Sequence, residues 1–245
     1  MLFPGTWRSV AKRVARANRN RDEEKARKVA SRYVRWRPKD PHGWLLWSSV
    51  EENYWTDEAD REKILRQGLK LNPDSVRIAT ALAQSLIRQR KAPEAQRLLD
   101  RARRYDPASM WPYIALIELS WWEQEFDLAR VHARQAEIRL ELDPDDLSNA
   151  WALCDQLIKL SEMDWATRLL RVMVDQKPNS PDPYILLSLL LVDSDEQSSE
   201  KLMTQARRRW KGDKKTFAQQ VDDLKEWLEA CREPLATFRG SPRRA

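Results

Sequence analysis

Between Val76 and Pro107 the apolar positions fall into two helical runs. In the first, Ile78, Ala79, Leu82, Ala83 and Leu86 recur at intervals of three and four residues; in the second, Ala95, Leu98, Leu99 and Ala102 do the same. The polar stretch between them, Arg88 to Glu94, carries Pro93, which suits the first turn of a new helix. Tyr105-Asp106-Pro107 ends the second run, because a proline close to a helix end cannot continue it. The pattern predicts a helical hairpin with an apolar face on each flank. One hairpin cannot bury both faces alone, so it needs neighbours.

The neighbours are marked by proline. Pro38, Pro73, Pro107, Pro144 and Pro178 stand 35, 34, 37 and 34 residues apart, each after a helix-like run. Ala26, Ala95 and Ala166 each lie 12 residues before their proline, and Gly68 and Ala102 lie 5 before theirs. Small residues at fixed offsets predict places where two helices approach closely and a bulkier side chain would force them apart. The same patterning predicts helices near 6–19, 22–36, 40–53, 57–71, 109–123, 125–141, 146–160, 164–176, 182–192 and 196–210. Thr56 or Asp57 is the expected N-cap of the helix that follows it. The interval of 37 implies a longer second helix or a longer turn in the fourth hairpin. A last helix near 214–232 places Phe217, Val221, Leu224, Trp227 and Leu228 on one face and Asp222, Asp223, Glu226 and Glu229 on the other.

Gly68-Leu-Lys-Leu-Asn-Pro73 and the series Leu82-Ala83, Leu86, Ala95, Leu99, Ala102, Pro107 resemble the tetratricopeptide repeat family, over roughly residues 22 to 210. The resemblance implies an all-α, right-handed superhelical α-solenoid of about six hairpins plus a C-terminal capping helix. On that reading residues 1–38 form an atypical basic hairpin, 39–212 the repeats, 213–236 the cap and 237–245 a disordered tail. Trp44-Leu-Leu-Trp47 with Val50-Glu51, and Trp111 with Ala115, Ile117 and Glu118, also resemble the first helix of the half-a-tetratricopeptide (HAT) variant. Ala129-Arg130 and Ala136 resemble its second helix. Arrays of that variant resemble parts of RNA-processing assemblies.

Composition narrows the function. With 42% hydrophobic and 33% charged residues the chain fits amphipathic helices, and five glycines argue against a phosphate-binding Gly-rich loop or a turn-rich β fold. No run of 18 apolar residues exists, and Met1-Leu-Phe-Pro-Gly5 lacks the basic and apolar regions of a secretory signal, so a cytoplasmic location is expected. Cys154 and Cys231 are expected to be reduced and inert. The net charge of +6 is uneven: residues 1–37 net +9 and the remainder −3. Arg8, Lys12, Arg16 and Arg19 make the first helix basic, and Arg207, Arg208, Arg209 and Lys211 form a second cluster. The first helix is expected to dock as a terminal repeat. Its alternatives are contact with nucleic acid or with an anionic membrane.

No Ser nucleophile motif, Walker loop or dinucleotide fingerprint occurs, and the two histidines, His42 and His132, stand outside any metal-ligand spacing. The expected protein is therefore a non-enzymatic scaffold with no cofactor and no metal. In the family resembled, the first helix of each hairpin lines a partner-binding groove. The resemblance places there Leu45, Ser49 and Asn53; Arg77, Thr80, Gln84 and Arg88; Trp111, Ile114, Glu118 and Trp121 or Trp122; and Trp151, Asp155 and Lys159. Trp121 and Trp122 cannot both face one core, since neighbours on a helix point about 100° apart. Leu45, Ser49 and Thr80 occupy places where some relatives grip a carboxylate with Lys and Asn, so that clamp is not expected here. A protein, helix or peptide partner leads; a nucleic-acid partner and membrane attachment stand as alternatives.

Overall fold

A computed structural model describes residues 6–53, 58–142 and 147–239, without the side chains of Arg19, Asn53 and 232–239. The described residues form thirteen α-helices and no strand. They run α1 Trp7–Arg19, α2 Glu23–Trp36, α3 Pro41–Asn53, α4 Glu58–Leu71, α5 Val76–Arg88, α6 Ala92–Tyr105, α7 Trp111–Trp122, α8 Phe126–Ile138, α9 Ser148–Lys159, α10 Met163–Asp175, α11 Asp182–Leu191, α12 Glu196–Arg209 and α13 Lys214–Arg239. The expected N-cap at Thr56 or Asp57 lies outside the described residues. The chain divides into two compact units, residues 1–132 and 133–245.

Helices stop where the prolines say they must. α2, α4 and α6 end two residues before Pro38, Pro73 and Pro107, because the residue before a proline is driven out of the helical region. The longer fourth interval lies in the connection between α8 and α9, since α8 itself has only 13 residues. α13 runs to Arg239, three residues into the stretch expected as tail.

The turn inside a hairpin follows one design four times. Arg21, Arg90, Gln124 and Ser161 have φ between 53° and 61°, the left-handed region. Each donates its N–H to the carbonyl three residues back, and the next residue donates to the carbonyl five back: Arg90 to Ile87 and Lys91 to Leu86, Gln124 to Trp121 and Glu125 to Ser120. This is the Schellman closure, which satisfies the last carbonyls of the first helix and sends the chain back antiparallel. Glycine ordinarily holds the left-handed position; here none of the four is glycine.

In the first unit α1 packs on α2, α2 on α3, α3 on α4 and so on in sequence, while the first helices also touch one another, α1 with α3, α3 with α5 and α5 with α7. A core of Val34, Trp44, Leu65, Ile78, Leu82, Leu86, Leu99 and Leu116 runs continuously through α2 to α7. Close approach is visible at Gly68, where an added Cβ would sit 2.8 Å from Trp44 Cγ. Trp44 is buried there, its indole N–H donating to the Pro38 carbonyl at 2.8 Å. Asn72 Nδ2 donates to the same carbonyl at 3.1 Å, joining the ends of α2 and α4. In the second unit α9 packs on α10, α10 on α11 and α11 on α12. α13 then lies against α11 and also, one hairpin back, against α9.

Candidate protein-binding face of the first helices

The face proposed from sequence is built in the first unit by α3, α5 and α7. Residues at equal places in successive hairpins stand 34 apart, and the structure pairs them. The Arg77 guanidinium lies over the Trp111 indole, 3.8 Å from the ring centre, and Gln84 donates to Glu118 at 3.2 Å. Such a cation over a ring is worth about 0.5–2 kcal/mol, depending on how far water is excluded. At the other end of α7, Trp121 and Trp122 meet edge to face with centroids 5.0 Å apart, and Arg90 covers Trp122 at 4.1 Å. Trp111, Trp121 and Trp122 are all half-buried. Each therefore contributes to packing and keeps part of its ring open.

Arg88 reaches two carboxylates, Glu52 at 3.1 Å and Glu58 at 2.7 Å. Those acids also hold Arg61, which is 5% exposed, and Glu58 further accepts from the Ser85 hydroxyl at 2.7 Å. The cluster ties α3, α4 and α5 together at one end of the face. Leu45 packs on the core and Ser49 donates to the Leu46 carbonyl, both half-buried. The Asn53 side chain lies outside the description.

Thr80 and Ile114, each 2% exposed, sit in the packed interior. They correct the projected face: a partner cannot touch them. The reason is α7 itself, which buries Pro112, Ile114, Ala115, Leu116, Ile117, Leu119 and Ser120, nearly its whole circumference. A helix stacked on both sides leaves only its most outward stripe free.

His42 lies in the first turn of α3, where its ring stacks on Trp7 at 4.5 Å with planes 8° apart. Trp7, His42, Arg77 and Trp111 are spaced 35, 35 and 34, so repeat register was the signal that would have found this row of flat side chains. His42 Nδ1 is 3.0 Å from Asp40, which also accepts from the Tyr33 hydroxyl. Burial pushes the Asp40 carboxyl up, but the hydrogen bonds from Tyr33 and His42 outweigh it and hold it below the usual range. Burial, reinforced by that bond, drives the Tyr33 phenol up to about 12.

In the second unit Trp151 and Asp155 are half-buried and Lys159 is exposed, with Lys159 paired to Asp155 at 2.7 Å. Here the first-helix face carries α13. Phe217, Leu228 and Cys231 of α13 are buried, Gln220 donates to Asp182 of α11 at 3.1 Å, and the charges of Lys159 and Asp155 are felt at the Cys231 thiol. Both cysteines are free and buried, and burial lifts the Cys154 thiol to about 12.

Of the basic residues, Arg8, Lys12 and Arg16 are exposed on α1, and the Arg19 side chain lies outside the description. Arg207, Arg208 and Lys211 are exposed, Arg207 lying 5.7 Å from the Phe217 ring centre. Arg209 turns inward, covering Tyr184 at 4.1 Å and donating to the Pro178 carbonyl at 3.0 Å. Among the described residues no group of three or more His, Cys, Asp or Glu could hold a metal ion, and no helix is long and apolar enough to cross a membrane.

Residues 56–115 match the family model described as tetratricopeptide repeat. The curated proteins give no match. Among solved structures the fold is shared with yeast Tom70 at a TM-score of 0.62 and 14% identity, over 96% of this chain and 50% of that one. It is shared with a thermophilic TPR protein of Thermus thermophilus at 0.56 and 16% identity, over 76% of this chain and 100% of that one. It is shared also with the APC/C hetero-tetramer Cut9–Hcn1 at 0.51 and 11% identity, over 93% of this chain and 43% of that one. The chain thus spans about half the length of two of these three. Repeats of this class are in general protein–protein interaction modules and are typically non-catalytic. Residues 56–115 thus match the tetratricopeptide repeat, and the paired helices share the fold of the solved structures named above.

Proposed function

We propose that the chain is a non-enzymatic adaptor whose first-helix face in residues 6–132 takes an amphipathic helix of a partner protein and helps assemble a multiprotein complex. The observation that carries this reading is α13. In the second unit the first helices α9 and α11 already bear a helix, with Phe217, Val221, Leu224, Leu228 and Cys231 spaced four and three apart along it. That is the helix-in-groove mode of recognition. The first helices of the other unit, α3, α5 and α7, bear no such helix among the described residues of that unit. They offer instead half-buried Trp111 and Trp122, each flanked by an arginine, the residue types that dominate binding hot spots. The face is held in place by ion pairs and stacked rings, so a partner loses little by ordering it. Near this face Trp47 donates to Glu51 at 3.1 Å and Arg27 clamps the same carboxylate at 2.8 Å, which fixes α3 against α2.

The test places a photo-crosslinking amino acid at Gln84 on this face and, separately, at Gln67 on the exposed side of α4. Protein adducts formed from Gln84, resistant to nuclease and lost on changing Trp111 and Trp122 to Ala, are expected. Protein adducts from Gln67 alone would overturn the reading.

A further inference from the structure

The second helices of the first three hairpins carry a surface that the adaptor reading does not use. Counted from the closing proline, position −3 holds Arg35, Lys70 and Arg104, and position −6 holds Arg32, Gln67 and Arg101. Position −2 holds Trp36, Leu71 and Tyr105, exposed to 39%, 40% and 52%. All five of these cations are exposed, and none makes an ion pair among the described residues. Of the nearby carboxylates, Asp100 is engaged by Arg103 at 2.6 Å, and Asp74 lines the same shallow pocket as Arg101. The helix ends lie side by side. Asn72 reaches the Pro38 carbonyl at 3.1 Å, and Leu69, Pro73, Arg101 and Tyr105 line one shallow pocket.

A cation in the last turn is favoured by the helix dipole, but the dipole does not require this arrangement. In the next two hairpins, aligned on Ala95, Ala129 and Ala166, the residues in register with Arg104 are Ile138 and Asp175, and those in register with Arg101 are Gln135 and Val172. The basic rows thus stop at α6, and a role confined to α2, α4 and α6 is left to explain them. We infer that this face binds the phosphate backbone of single-stranded nucleic acid, with Trp36 and Tyr105 as stacking platforms for its bases. Four of the five cations are arginine, whose planar fork matches phosphate oxygens. Aromatic rings beside cations are the elements that grip a single strand without regard to sequence. Arg101 lies 5.5 Å from the Tyr105 ring centre, so a cation and a ring already sit together there.

The test measures binding of a labelled oligouridine of about 30 nucleotides to the full chain by fluorescence anisotropy between 50 and 200 mM KCl. Five phosphate contacts on a single strand give a slope of log K against log salt near about −3.5, so affinity falls about 100-fold over that range. In Arg32→Gln/Arg35→Gln/Arg101→Gln/Arg104→Gln the slope shrinks to about −0.7 and the loss to about 3-fold. The comparison variant Arg8→Gln/Lys12→Gln/Arg16→Gln keeps the steep slope. Absence of oligonucleotide binding by the unaltered chain overturns the inference. So does an unchanged slope in the quadruple variant, or loss of the slope only in the α1 variant. Flotation with anionic phosphatidylglycerol vesicles that the quadruple variant abolishes, without oligonucleotide binding, overturns it in favour of lipid.

Discussion

Replacing Gly68 by Ala sets two effects of opposite sign against each other. In an exposed helix interior the change gains about 1 kcal/mol, because glycine has more backbone freedom to lose on folding. At Gly68 the new methyl would lie 2.8 Å from Trp44 Cγ and 2.9 Å from Trp44 Cβ, closer than side-chain carbons come. Trp44 cannot easily retreat. It is 2% exposed, its indole N–H is bonded to the Pro38 carbonyl, and its ring stacks on Trp47 at 6.1 Å. Forcing a methylene-sized group into such a site costs about 1–3 kcal/mol. We expect the clash to win, with a net loss of about 1 kcal/mol and a fall in Tm of about 2–4 °C for a chain of this size. The neighbouring hairpin supplies the reverse case. The same two register positions there hold Ile78 and Ala102, a smaller partner and a larger one. Ala102→Gly should lower stability by about 1 kcal/mol from propensity alone. Glycine and alanine thus rank in opposite order in adjacent hairpins. Urea denaturation followed by far-UV circular dichroism and by tryptophan fluorescence gives both numbers. A Gly68→Ala protein as stable as the parent, or more so, would refute the claim that α3 and α4 are already at their closest approach there.

Further outcomes can be checked alongside. Burial raises the Glu62 carboxyl, but hydrogen bonds from Lys91 and Arg66 overcome it and hold the group at about 2 instead of 4.5. Its folded pKa is depressed, so its contribution is complete above about pH 4.5 and is lost as pH falls toward 2. That shift is worth about 3 kcal/mol at full strength and about 1–2 after screening by solvent at the rim; Glu62→Gln removes this part of the acid sensitivity in a pH series of urea midpoints. Gln124→Gly relieves a left-handed non-glycine residue at φ 61° and should raise stability by about 0.5–1 kcal/mol in thermal melts. A double-mutant cycle of Arg77→Ala and Trp111→Ala should return a coupling of about 0.5–2 kcal/mol; a value near zero would mean that the stacked pair is incidental.

Much of the fold was legible because its punctuation is local. Proline ends a helix by sterics that need no tertiary context, so Pro38, Pro73 and Pro107 located the ends of α2, α4 and α6 to within a residue or two. Register was legible too, and it carries more than hairpin boundaries: residues 34 apart, such as Arg77 with Trp111 and Gln84 with Glu118, become neighbours on adjacent first helices. The site was read less well. The stripe assigned to the groove by analogy included Thr80 and Ile114, which packing on both sides of α5 and α7 closes. An amphipathic pattern gives a helix a buried face without naming what covers it, so the seat of α13 across α9 and α11 could not be foreseen from Phe217 to Cys231. Analogy assigns Arg88 to the groove, and Glu52, Glu58 and Arg61 carry no signal in sequence; only their convergence makes a clasp of the four.

The four repeated turns bear on where this chain tolerates change in length. Each closure after α1, α5, α7 and α9 spends every residue of the turn: one ends the helix, one takes the left-handed conformation, and one returns a hydrogen bond to the helix just left. An added amino acid there would break both bonds at once. The connections from one hairpin to the next have no such fixed count, and natural variation in spacing, the interval of 37, falls in one of them. Loop grafts, tags and cleavage sites are therefore best placed between hairpins, with the crossing from α8 to α9 the first choice.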